Sequence, residues 1–384
     1  MGELEWFDAY CKLDNAPGAA EETLELIRKA EADAARKGVV GIRDYEMAEN
    51  VDTWTCRFSA ASPRPRDAND SAWTGIDWDS SFTHGIRGLR VEAGVYPERL
   101  EDAIEAGWKT GVELPGSDGL GHVGAMKMIS DGSLNTRSAF CSMPYSEKMI
   151  SDGSLNTRSA FCSMPYSDIF PDFYGTLSYA PDQIETYFHG ATCHRFAIAC
   201  HAIGDEANTI VLNAAASTHA HGSIEHAQML KPADIPRFAK LGLTASIQPQ
   251  HAMDDRDVIT RFWANPGGIP YAFKALHDAG VRLRMGSDAP VAPLDPWMAI
   301  SAAVFGTESS DREPFQPEQC LDARTALAAS TAVGRDRPEP GDPADLVLLD
   351  RDPYAVSTPE EMRAMPVSAT MLAGRWTYSS LHGE

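Results

Sequence analysis

Residues 196–228, FAIACHAIGDEANTIVLNAAASTHAHGSIEHAQ, decide how the rest of the chain is read. The apolar run FAIAC leads to His201, EANTIVLNAAASTHA follows with apolar residues at helical spacing, and GSIEHAQ is a second apolar run that ends near His226. Strand, helix and strand in succession form the crossover unit of a parallel sheet. Both histidines stand at the carboxyl ends of their strands, the face on which barrel enzymes build their sites.

The pattern extends in both directions. Downstream, LKPADIPRFAKLG (230–242) reads as a helix, LTASIQPQH (243–251) as a strand, PYAFKALHDAG (270–280) as a helix and VRLRMGSDAP (281–290) as a strand. His201, His226 and His251 thus recur at intervals of 25 residues, one unit each. Upstream, 20–37 reads as a helix ending at Gly38, followed by the strand VVGIRD (39–44). Then come the strand GLRVEAGVY (88–96), the helix 97–111, the strand HVGAMKMIS (122–130) and the helix 181–194. Residues 50–85, rich in Trp, Ser, Asp and Pro, read as a long loop. Six or seven strand–helix units in a row predict an α/β fold of the (β/α)8 TIM-barrel type over 1–335. Two strand-like pieces, ADLVLLD (344–350) and SATMLAGRWTYS (368–379), predict a small β appendage over 336–384.

Composition narrows the function. The chain has 384 residues and a net charge of −22, which argues against nucleic acid or an anionic membrane as a partner. Seven scattered cysteines without a CxxC pair read as reduced thiols of a cytoplasmic protein. The first residues show no signal-peptide pattern, and no apolar run has membrane-spanning length.

One stretch is anomalous. KMISDGSLNTRSAFCSMPYS occurs at 127–146 and again, unchanged, at 148–167. Solenoid repeats diverge and recur several times, so a single perfect copy reads as a tandem duplication and not a functional array. The first copy follows the apolar HVGAM and the second follows polar PYSE, which favours Lys127 as the strand lysine and Lys148 as looped out.

Two imidazoles and a carboxylate on separate strand ends, His201, His226 and Asp288, suit a divalent metal such as zinc or manganese. Plainer alternatives are a helix-capping His201 and a turn Asp288 in SDAP. Lys127 is either a snorkelling lysine or a carbamate that bridges cations. His251 could hold a substrate oxyanion or be a satisfied pocket histidine. Arg137, or Arg158 of the second copy, could bind a substrate carboxylate or lie on the surface. Asp131 of the same motif is grouped with Arg137 and His251 as substrate-binding. His219 and His221 form an HAH pair in a turn and read as solvent-facing. Trp54, Trp73, Trp78, Phe262 and Trp263 hint at an apolar or aromatic substrate group, or are simple core, the more common use of such residues.

With these residues in place the chain resembles the amidohydrolase superfamily, in its branch with an amidohydrolase type 3 domain. VVGIRDYE, LRVEAGVYPERL, KMISDGSLNTRSA, HAIGDEAN, IEHAQ, SIQPQH, GSDAPVAPLDPW, PGDPADLVLLDRDP and ATMLAGRW carry the likeness, in order from about residue 35 onward. The resemblance implies one or two zinc ions or similar divalent metals, with Lys127 carboxylated between them and His201, His226 and Asp288 as ligands. It also implies that Asp288 acts as general base toward a metal-activated water, in hydrolysis of a C–N bond. The family opens its barrel with a strand ending in a His-x-His pair, and no such pair precedes VVGIRD. The expectation is therefore a barrel missing its first strand, with the C-terminal strands as the remnant of a β-sandwich. Two functions follow: a metal-dependent amidohydrolase acting on a small molecule, or an inactive remnant that binds a ligand or partner without turnover. Exposed barrel edges would favour a homo-oligomer.

Overall fold

The computed structural model describes residues 19–46, 49–59, 85–131, 160–164, 174–175, 177–262 and 268–381. Seven strands form one parallel sheet: β1 (Gly41–Asp44), β2 (Arg90–Val95), β3 (Gly121–Ile129), β4 (Ile198–Ala202), β5 (Gly222–His226), β7 (Thr244–Ile247) and β9 (Arg282–Met285). Their order in the sheet follows their order in the chain, β1-β2-β3-β4-β5-β7-β9. The short β6 (Met229–Leu230) and β8 (Ile269–Pro270) pair with each other, outside that sheet. Sequential order with a helix between most neighbours is the βα arrangement of a TIM-type barrel, and this curled sheet is consistent with one. Among the described residues β1 and β9 are the two edges and no ladder joins them.

Apolar side chains on the outer face explain the layering. Met126, Met128, Ile198, Cys200, Ile224, Ala245 and Ile247 are buried, as are Phe188 on the helix Pro181–Cys193 and Phe238 on the helix Ile235–Leu241. Alternation sends Lys127, Glu225, Ser223, Thr244 and Ser246 to the inner face. Helix ends follow local chemistry: Asp295 accepts the Trp297 N–H and Asp322 the Thr325 N–H, each as an N-cap.

Residues 50–85 hold more than a loop, since Asn50–Phe58 is a helix. Trp54 is 4% exposed within the core and its indole N–H donates to Asp44, 2.6 Å away, so it is not a pocket aromatic. Trp73, Trp78, Trp263 and the side chain of Phe262 lie outside the described residues. Beyond the parallel sheet, β10 (Leu346–Leu349), β11 (Val367–Leu372) and β12 (Arg375–Ser379) make an antiparallel three-stranded sheet. SATMLAGRWTYS is thus a hairpin and not one strand, turning at Ala373 and Gly374, which both have positive φ. This sheet rests on the helix Ala19–Arg36, where Thr370 Oγ1 donates to the Ala35 carbonyl. No helix among the described residues is long and apolar enough to cross a membrane.

Candidate metal centre

Lys127, His201, His226 and Asp288 come from four strands or their ends. Lys127 lies in β3, paired in register with Ala199 of β4, so the first copy of the duplicated segment supplies the strand lysine. It is 8% exposed, and its Nζ sits 5.2 Å from the centroid of the Tyr45 ring. Tyr45, just beyond β1, was not anticipated as a neighbour, and a cation over an aromatic face lowers the cost of burying the charge. His201 lies in β4 and is 4% exposed. His226 is the last residue of β5 and takes φ 68°, a left-handed turn that ends the strand. Asp288 lies three residues beyond β9, also left-handed at φ 57°. His251 is not on a strand: it stands in the first turn of the helix Pro249–Phe262.

The rings converge. His201 and His226 meet edge to face with centroids 4.4 Å apart, and His226 and His251 stack at 5.8 Å. His251 Nε2 is 3.2 Å from Asp288 Oδ2. Ligand atoms of His226, His251 and Asp288 all lie within 4.8 Å of one another. The compact trio therefore includes His251, whereas His201 reaches it through contact with His226.

Electrostatics divide the roles. Burial, and after it the neighbouring His201 and Lys127 charges, push the His226 pKa well below 6.5, with Asp288 opposing. Its Nδ1 is buried and makes no hydrogen bond among the described residues. A neutral imidazole with an unspent nitrogen is the ligating form. Burial also pulls His251 down, but the hydrogen bond and charge of Asp288 outweigh it, and the pKa rises. Asp288 shows the reverse balance: burial raises it, while the His251 hydrogen bond and the His226, His251 and Lys127 charges hold it at about 2.

Of two supporting groups, one escaped the sequence reading and the other was given a different role. Asp255, four residues after His251 on its helix, accepts from Gln228 Nε2 and Tyr271 Oη, each at 2.6 Å. The i, i+4 spacing in HAMDD was the available signal. Asp131 is the other: it is fully buried, and three backbone N–H groups point at its carboxylate. Burial pushes its pKa up to about 7 against those donors. That placement does not suit the substrate-binding role expected of it, because no part of the side chain faces solvent. One donor is Phe161, in the second copy of the duplication. The described part of that copy, 160–164, covers the turn after β4, where a Cβ on Gly204 would lie 2.0 Å from the Phe161 carbonyl oxygen. Ser163 donates from N–H and hydroxyl to Asp205. Arg137, Arg158 and Lys148 lie outside the described residues. His219 and His221 are both exposed.

A sequence profile described as the amidohydrolase family matches residues 2–378. The chain is 30% identical over 275 residues to Protein LONG AFTER FAR-RED 3 of Arabidopsis thaliana, covering 67% of this chain and 43% of that protein. It is 28% identical over 199 residues to the N-substituted formamide deformylase of Arthrobacter pascens, covering 47% of this chain and 36% of that enzyme. The chain thus spans less than half the length of these curated relatives. Among solved structures, an uncharacterized metal-dependent hydrolase from Pyrococcus horikoshii OT3 superposes with a TM-score of 0.58 at 27% identity. That match covers 70% of this chain and 52% of the archaeal one. A match over nearly the whole length shows that this chain belongs to the amidohydrolase family.

Proposed function

We propose that this chain hydrolyses a C–N bond, in an amide or a related group, with a divalent metal, zinc, held around His226. The observation that carries this reading is the convergence of His226, His251 and Asp288 within 4.8 Å at the carboxyl ends of parallel strands. The unspent His226 nitrogen and a carboxylate held ionised fit a cation of that type. His201, His226 and Asp288 would hold the ion, with Lys127 beside them as a second anchor if carboxylated. When bound, the ion supplies Lewis-acid polarisation of a carbonyl and a more acidic water.

The chain's own groups do the rest. Asp288, ionised and 42% exposed at its side chain, is placed to take a proton from water and return it to a leaving amine. His251, whose pKa is raised by its pairing with Asp288, would donate to the substrate oxygen as negative charge develops there. Arg137 or Arg158 would bind a carboxylate of the substrate. A relative named for deformylating N-substituted formamides supports the C–N choice. In the same reading the barrel would occupy 1–335, and 336–384 would be part of a β-sandwich.

Metal content of protein purified without chelators, followed by N-acyl amine hydrolysis, tests this. One or two equivalents of zinc with turnover would support it. Bound metal without turnover on amides, formamides or esters would favour ligand binding without catalysis, and no uptake of zinc would sink the metal reading.

A further inference from the structure

Resting on that metal reading, we infer that Asp131 is a positioning residue that sets the ring of His201 and the strand-to-helix turn beneath it, without meeting substrate. His201 and the residues just after it are clamped from the end of β3. Ser130 donates from its N–H (3.1 Å) and its hydroxyl (2.5 Å) to the His201 carbonyl. Asp131 Oδ1 accepts the Ile203 N–H at 3.1 Å, and Oδ2 accepts those of Gly204 at 2.9 Å and Phe161 at 3.0 Å. These amides fix the carboxylate, and the carboxylate in turn faces the imidazole: His201 Nε2 is 3.6 Å from Asp131 Oδ1.

Physical consequences follow from that order. An isolated carboxylate with no exposed surface would be strongly disfavoured, and three amide donors are what make it tolerable. An acceptor oxygen on the Nε2 side of the ring favours the proton there, which leaves the Nδ1 lone pair for a cation. A carboxylate behind a ligating imidazole fixes the tautomer and raises basicity. Asp131 has no exposed surface, and residues 160–164 are held against it by the Phe161 N–H. The same contact joins the two copies of the duplicated segment, with Asp131 from the first and Phe161 from the second.

The test uses the full chain, metal-free and labelled with 15N-histidine, with the His201 ring signals assigned by their loss in His201→Gln. The expected result is a neutral His201 ring protonated at Nε2. Asp131→Asn should move the ring toward the other tautomer and weaken zinc binding by about 10–100-fold. Asp205→Asn is the control, since Asp205 is equally buried on the same turn but binds Ser163. It should leave the tautomer as in the parent. A parent His201 carrying its proton on Nδ1 overturns the proposal, as does an Asp205→Asn effect on ring and zinc equal to that of Asp131→Asn. Should Asp131→Asn not fold, the parent tautomer still decides. Should the parent bind no zinc, the metal reading fails while the ring signals still judge Asp131.

Discussion

His251 Nε2 lies 3.2 Å from Asp288 Oδ2, and this contact ties the first turn of one helix to the loop beyond the last strand of the parallel sheet. Folding raises the His251 pKa, so its share of stability is complete below 6.5 and is lost as pH climbs through the folded value. Folding lowers that of Asp288 from 3.8 to about 2, so its share is present above 3.8 and is lost as pH falls toward 2. In metal-free protein the pair should therefore contribute most between about pH 4 and 6.5. With Asp288 42% exposed, solvent screens the pair, and His251→Gln should lower the Tm there by only about 1–2 °C. An equal loss at alkaline pH would show that the ion pair contributes nothing.

Metal binding separates the histidines. His226→Ala or His201→Ala should abolish bound zinc, with affinity reduced by about 100-fold or more, because three protein ligands are the usual minimum for such a site. His221→Ala should leave it unchanged, since that ring is exposed in the turn before β5. Elemental analysis after purification reads both. Equal loss in all three variants would disprove the assignment.

Most of the parallel sheet was legible because apolar runs and helical spacing alternate from residue 181 to 290 with little interruption. The inner-face lysine was legible too, since HVGAM precedes only one copy of the repeat. What stayed hidden depends on tertiary contact. SIQPQH looked like a strand ending in histidine because Pro249 at a helix start resembles a strand stop. Asp131 and Arg137 share one motif and invite one role, yet Asp131 turns inward to backbone amides that lie far from it in sequence. Trp54 could be read as a pocket residue or as core, and its burial, with the indole N–H on Asp44, shows it to be core.

The duplicated segment should be dispensable in one copy. Lys127 comes from the first and the covering residues 160–164 from the second, so removing residues 148–168 restores the same motif in continuous form. The separation from Asp131 to the covering phenylalanine falls from 30 residues to nine, because Phe140 would take the place of Phe161. Loop-closure entropy then predicts a gain of about 1 kcal/mol. Denaturant unfolding of the shortened chain measures it, and a clear loss of soluble protein would show that the extra residues are structural.

Arg90 and Asp345 should hold the C-terminal sheet to the barrel. Arg90 sits at the start of β2 and reaches Asp345 twice, through Nε at 2.5 Å and a terminal nitrogen at 3.1 Å. Asp345 also accepts the Ala373 N–H at 2.8 Å, in the turn of the β11–β12 hairpin. A two-pronged guanidinium–carboxylate contact that is largely shielded from water is stronger than a surface pair, and a lysine cannot reproduce its fork. Asp345→Ala leaves both the guanidinium and the hairpin amide without this acceptor, so a loss of about 2–3 kcal/mol is expected. Arg90→Lys should recover only part of it. Limited proteolysis should then cut between 336 and 345 sooner than in the parent, while metal content stays constant because Arg90 starts β2 and His226 ends β5, at opposite ends of the parallel strands. Unchanged proteolysis with an unchanged Tm would mean that Thr370 and the helix Ala19–Arg36 suffice to dock the sheet.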